Sequence, residues 1–327
     1  MRVFISILLT LTFVTSSAYA QDKDTGKLKK AGFSLDRFEQ SQFDERAKKI
    51  QARMSAIRMR KIGNLEGIIK SNRPYKNKAD VLFRLAEAHW GESKYKYMLK
   101  RDDYDKAFEC YEEKRCTQKP VEPIEDFSQS LNYYRQVLSN FPDYRRIDEV
   151  MYYLGRAALR AGKTRKDVQL QREGVKYLDD MVQLHPKSRF VAKAYLSLGE
   201  HHFETDNLYS AKNAYEKIVF NFKKSSMFNY ALYKLGWVYF NLAEFEKTIK
   251  TFQQVVASIG KGANRARVEF RSQALNDLIV TWVEIDEGWK QARPYFLKEV
   301  GEVETYKKLE KMAGLLVGKD KHDEAID

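Results

Sequence analysis

Hydrophobic positions recur at three- and four-residue intervals along most of this chain. Between Ala192 and Ser258 they do so twice over in matching register. The first segment reads AKAYLSLGEHHFETDNLYSAKNAYEKIVFNF (Ala192–Phe222), and the second reads NYALYKLGWVYFNLAEFEKTIKTFQQVVAS (Asn229–Ser258). Superposed on Leu198-Gly199 and Leu235-Gly236, Tyr195 falls on Leu232 and His202 on Tyr239. Ala211 then falls on Thr248, Tyr215 on Phe252 and Ile218 on Val255. The period is helical, and a small residue stands where two helices must approach closely. Each segment predicts a helical hairpin.

The pattern extends outward with less regularity. A related unit at 143–186 has Met151, Leu154, Gly155 and Ala158 on its first helix and Gly174, Leu178 and Met181 on its second. The turn between them reads as enlarged and basic, with Arg160, Lys163, Arg165 and Lys166. Upstream, 78–142 pairs a first helix (Leu82, Leu85, Ala86, His89) with a second at Phe127–Phe141, separated by an insert at 92–125 of about 30 residues more than an unbroken unit holds. The charged, helix-forming insert predicts extended helices projecting from one face. Downstream, 263–303 is a degenerate unit with Pro294 inside its second helix, where a kink is expected. Residues 304–327 form only a partial unit, so the sequence is expected to be a piece of a longer parent; an end that frays or is covered by a partner is the alternative. Residues 41–77 carry Phe43, Ala47, Ile50, Met54 and Ile57 at 4, 3, 4, 3 spacing, which breaks down at Lys61 and Gly63. A pair of capping helices is the favoured reading, and a short coiled coil the other.

The hairpins resemble the tetratricopeptide repeat (TPR), a helix–turn–helix unit of about 34 residues. The resemblance covers roughly 78–327, with further units at 187–225 and 226–262. It implies an all-α, right-handed solenoid with an extended insert in its first repeat. It also implies that one side of the first helices lines a concave groove. Tyr233, Trp237 and Phe240 follow i, i+4, i+7 on that side, and Glu200 with Phe203, Tyr152 with Arg156, and Phe83, Glu87 and Trp90 correspond to them. Tyr and Trp offer a large contact area at low entropic cost, while the charges would fix register. The same stripe reads equally as packing between neighbouring repeats.

Composition agrees with helices: 327 residues, 43% hydrophobic, 31% charged, 16 Gly and only 6 Pro. Arg2, the apolar run Val3–Thr15 and Ala18-Tyr19-Ala20 predict a signal peptide at 1–20, cleaved after Ala20, with a flexible linker at 21–40. The run is too short to span a bilayer, which takes about 20 residues. No Cys lies near the cleavage site, so a lipoprotein is not expected. In an oxidising compartment Cys110 and Cys116, the chain's 2 cysteines, are expected to form a disulfide; free thiols or an intermolecular bond are the alternatives.

Catalytic constellations are missing from the sequence: no H-E-x-x-H, no G-x-S-x-G and no dinucleotide fingerprint. Gly260-Lys261-Gly262 lacks the spacing of a phosphate loop and reads as a turn. His201 and His202 point about 100° apart on a helix and would not share a metal ion. Neither an enzyme nor a cofactor nor a metal is expected.

Together with the signal peptide, the repeats resemble exported envelope TPR proteins of Gram-negative bacteria. The resemblance implies a non-enzymatic periplasmic scaffold that binds a protein or peptide segment in its groove, within a complex for division, outer-membrane assembly or motility. The net charge of +13 supports an alternative, a basic adhesion module for peptidoglycan, lipopolysaccharide or anionic lipid. Nucleic acid is not an expected partner, and the oligomeric state is left open.

Overall fold

A computed structural model describes residues 45–71, 77–259 and 265–326. The signal peptide expected at 1–20, the linker expected at 21–40, the start of the 41–77 segment and the turn expected at Gly260-Lys261-Gly262 lie outside the described residues. Among the described residues all regular structure is helical. They fall into two compact units, one spanning Asp44–Ser258 and the other beginning at Ile259.

The first unit opens with α1 (Glu45–Lys70). Four hairpins follow. They are α2 (Lys78–Glu112) with α3 (Ser128–Asn140), α4 (Ile147–Arg165) with α5 (Val168–Leu184), α6 (Val191–Glu204) with α7 (Leu208–Asn221), and α8 (Phe228–Asn241) with α9 (Phe245–Ser258). Each helix packs on its chain neighbours, so this unit is an all-α solenoid.

The Leu-Gly pairs explain why the hairpins close. A Cβ built on Gly199 would sit 2.7 Å from the Tyr215 ring, and one on Gly236 2.5 Å from the Phe252 ring. Both rings are fully buried. The turns are repeated as closely as the helices. In each of the last three hairpins a residue in left-handed conformation ends the first helix: Lys166, Asp206 and Ala243. The next backbone N–H then bonds five residues back, Asp167 to Gly162 (2.8 Å), Asn207 to His202 (2.8 Å) and Glu244 to Tyr239 (2.9 Å). This closure satisfies carbonyls that a helix end leaves open. The Asp167 and Asn207 carboxylate and amide oxygens then cap the second helices, accepting from Leu170 N and Ser210 N.

Three details differ from the sequence reading. Within the described part of the 41–77 segment there is one helix rather than a pair: α1 runs unbroken through Gly63 and Gly67, both facing open space. It docks on α2 through Ser55, Ile62 and Leu65, and the Ser55 hydroxyl lies 2.9 Å from both oxygens of the buried Glu92. The insert is not a set of separate helices. Its first part prolongs α2 to Glu112, and the chain then returns without regular structure, tied by Arg101 to Glu122 (2.7 Å). The basic segment after Ala158 is no enlarged turn either. Arg160, Lys163 and Arg165 extend α4, because acids on neighbouring segments meet them: Glu125, Glu204 and Asp126 respectively.

The second unit holds α10 (Arg265–Val283), α11 (Trp289–Val300), α12 (Glu302–Val317) and the five-residue α13 (His322–Ile326). Trp282 is fully buried, with Phe296 edge-on at 5.3 Å. Pro294 lies within α11. The α12–α13 turn repeats the closure seen above, with Asp320 left-handed and Lys321 N bonded to Leu316 O at 3.0 Å.

Candidate functional site

The first helices α4, α6 and α8 stand side by side in the first unit. Where α6 meets α8, the Tyr230 hydroxyl donates to Glu200 Oε1 at 2.9 Å. Lys234 Nζ lies 5.0 Å from the centre of the Phe203 ring and 5.9 Å from that of Tyr230, within range of a cation–π attraction. Burial raises the Glu200 pKa, opposed by the Tyr230 hydrogen bond and the Lys234 charge. Burial likewise lowers the Lys234 pKa, opposed by Glu200. Both groups are thus poorly hydrated, and each charge favours the charged form of the other.

Further along α8, Trp237 lies edge-on to Phe240 at 5.3 Å and to Phe252 at 5.8 Å, with one side half-exposed. Towards α4, Arg156 donates to the Tyr152 hydroxyl at 3.2 Å, and its charge is felt at Glu200. Arg156, Glu200, Phe203, Lys234, Trp237 and Phe240 thus form a half-buried strip of alternating charge with an aromatic end. Such a strip offers apolar area together with fixed hydrogen-bonding groups, as protein-binding surfaces do.

Three of the residues assigned to the groove from sequence are core residues instead. Phe83 is 0% exposed, wedged by Tyr134 at 5.8 Å and covered by the Arg146 guanidinium at 4.1 Å. Tyr152 is 3% exposed and stacks on Phe190 at 5.0 Å; Tyr233 is 6% exposed beside Phe252. They sit at the seam between packed helices, where a large ring fills more volume than it could offer a ligand. Trp90 is half-buried and stacks on Phe127 at 4.4 Å. Glu87 lies at the edge of a different charge group: Arg146 reaches Glu87 at 4.0 Å and Glu149 at 2.8 Å. Burial raises the Glu87 pKa. Glu87 and Trp90 meet Arg146 and Phe127, not the residues of the α6–α8 strip named above.

Sequence reasoning missed Tyr230 and Lys234. Both precede a chosen aromatic by three residues, and the half-exposed row of α8 runs Tyr230, Lys234, Trp237 at 4, 3 spacing. Attention to that row, polar members included, would have found them.

Other chemistry is sparse. Among the described residues no three His, Cys, Asp or Glu side chains are grouped to hold a metal ion. The rings of His201 and His202 are 5.5 Å apart and tilted by 55°, and burial lowers both pKa values. Cys110 and Cys116 are joined by a disulfide at the tip of α2. No described helix is long and apolar enough to cross a membrane.

Comparison with known proteins finds the tetratricopeptide repeat family at residues 230–258, which is the α8–α9 hairpin. No curated relative matches the chain. Among solved structures, a crystal structure of MamA is similar over 62% of this chain and 83% of its own, at 22% identity and a TM-score of 0.33. A second crystal structure of MamA protein is similar over 70% of this chain and 96% of its own, at 23% identity and a TM-score of 0.37. One repeat of the tetratricopeptide type is thus matched at 230–258, the hairpins before it close in the same way, and folds of this kind serve in general as scaffolds for protein interaction.

Proposed function

We propose that this protein is an exported, periplasmic scaffold that holds a segment of a partner protein along the α4–α6–α8 strip, as one component of an envelope complex. The observation that carries this reading is the half-buried group Glu200, Tyr230, Lys234 and Phe203, continued by Trp237 and Phe240. Packing alone explains the buried aromatics, but it does not require two poorly hydrated opposite charges at a partly open surface. A partner segment that completes their hydrogen bonding would gain affinity from both. Export rests on the Arg2, Val3–Thr15 and Ala18–Ala20 pattern.

The alternative of a basic adhesion module draws on the net charge of +13. Much of that charge on α4 is already matched, through Arg160 to Glu125, Lys163 to Glu204 and Arg165 to Asp126. This favours the scaffold.

The test is capture from an envelope extract by wild-type protein and by a Phe203→Ala/Trp237→Ala variant, at low and at physiological salt. Both side chains are half-exposed, so the fold should survive, as circular dichroism can verify. The scaffold reading expects one protein recovered by wild type at both salt concentrations and lost from the variant. Recovery of lipid or peptidoglycan that collapses with salt and ignores the substitutions would favour adhesion.

A further inference from the structure

The heptad stripe of α1 is not used by the fold. Ile50, Met54 and Ile57 are 54%, 46% and 61% exposed, although they were the most regular apolar set at the start of the chain. The helix docks on α2 through a neighbouring face, in which Ser55, Arg58, Ile62 and Leu65 follow 3, 4, 3 spacing. The docked face and the open stripe lie about 80–100° apart around the helix at 100° per residue. An apolar stripe therefore stays in solvent beside the face that anchors α1.

Two features define what would cover it. The stripe is narrow, limited to the a and d positions of a heptad, and Lys61 stands at its next place. An interfacial lipid-binding helix presents a broad apolar face, whereas a strict a/d stripe is the seam of a helix–helix contact. Along the side of the stripe away from α2 runs an exposed basic row, Lys49, Arg53 and Arg60. Arg53 and Arg60 share the g position, and Arg58 takes an e position on the other flank. Two antiparallel copies of α1 would set Arg53 and Arg60 against one another, since antiparallel pairs join g to g, whereas in a parallel pair g faces the e position of Arg58, which is already paired with Glu92. The exposed arginines thus disfavour an antiparallel second copy and favour an acidic partner.

We infer that α1 is a docking helix for an amphipathic helix of another protein, one whose apolar seam is flanked by Glu or Asp. The contact is independent of the α4–α6–α8 strip. The scaffold then has two separate protein-binding places, one for a segment and one for a helix.

The probe is a synthetic helical peptide of four heptads with Leu at a and d and Glu at e and g, which its own charge keeps from self-pairing. A matched peptide carries Lys at e and g. Binding to the full chain is read by fluorescence anisotropy, with circular dichroism confirming that each variant is folded. The Glu peptide is expected to bind at least tenfold more tightly than the Lys peptide. Met54→Glu and Ile57→Glu should each weaken it at least tenfold, and Arg53→Glu/Arg60→Glu should reverse the preference. Equal binding of both peptides, no binding of either, or indifference to these substitutions would overturn the inference. Stripe-dependent binding to phosphatidylglycerol vesicles without peptide binding would assign α1 to lipid instead. A wild-type dimer in light scattering that Ile57→Glu dissociates would assign it to a second copy.

Discussion

Gly236→Ala tests the packing logic of the repeats at its tightest point. The new Cβ would lie 2.5 Å from Phe252 Cε1, 2.8 Å from Cδ1 and 3.1 Å from Cζ. Phe252 cannot simply swing away, because it is 0% exposed and its ring meets Tyr233 at 5.7 Å and Trp237 at 5.8 Å. Overpacking of this kind costs about 1–3 kcal/mol. Replacing a helical Gly by Ala returns roughly 1 kcal/mol through helix propensity. With the Phe252 ring held on both sides, the upper part of the overpacking range applies, about 2–3 kcal/mol. The expected net loss is therefore about 1–2 kcal/mol, which for a unit of this size lowers Tm by roughly 2–8 °C. Thermal and urea unfolding followed by circular dichroism measure it. Gly67→Ala on α1 is the control: its Cβ meets nothing within 4 Å, so only the propensity gain applies and stability should rise. Phe252→Leu in the Gly236→Ala background should recover part of the loss by removing the clashing ring edge, although Phe252→Leu alone destabilises. Stability of Gly236→Ala equal to or above wild type, with Gly67→Ala raised as expected, would show that no clash exists at Phe252.

Three further outcomes follow from the geometry. Ala243 sits at φ 56°, a conformation that costs a residue with a Cβ about 1 kcal/mol, so Ala243→Gly should raise the urea midpoint slightly without changing the m-value. Burial lowers the pKa of His89, His201 and His202 below 6.5, so the unfolded chain binds more protons as pH falls through that value. Stability is then complete above pH 6.5 and lost progressively below it, and replacing the three residues by Gln should flatten the fall between pH 7 and 5 in denaturant titrations. Reducing the Cys110–Cys116 disulfide should leave the main unfolding transition nearly unchanged, because the bond lies at the tip of α2, beyond the last buried residue of that helix, Glu92, where the chain can open without the core. It should speed limited proteolysis between Glu113 and Asp126, as mass spectrometry of the fragments would show.

The hairpins were legible because their information is local. Gly199 with Tyr215 and Gly236 with Phe252 are partners within one repeat, so spacing alone brings them into register. The α1 helix was less legible because two stripes share it. The regular apolar one, Ile50, Met54 and Ile57, is open, while the docked one begins with Ser55 and Arg58 and is satisfied by Glu92, 37 residues from Ser55. No periodicity reveals that a polar trio will be the buried one. The lengthening of α4 escaped for a similar reason, since Glu125, Asp126 and Glu204, which meet its basic residues, are remote in sequence. In the candidate site, spacing identified a side of α8 but not its edge. Tyr233 and Lys234 differ by one position, and the first went to the core while the second stayed at the surface.

If the half-buried strip of α4, α6 and α8 receives another protein, a photoreactive side chain placed there must capture it. Site-specific photocrosslinking in the native envelope tests this most directly, with a photoreactive residue at Trp237 and a control at Lys250, an exposed position on α9. One protein is expected to crosslink at Trp237 and not at Lys250, with yield lost when Lys234 is replaced by Glu. Equal crosslinking at both positions, or none at Trp237 while Lys250 captures a partner, would contradict binding at the strip.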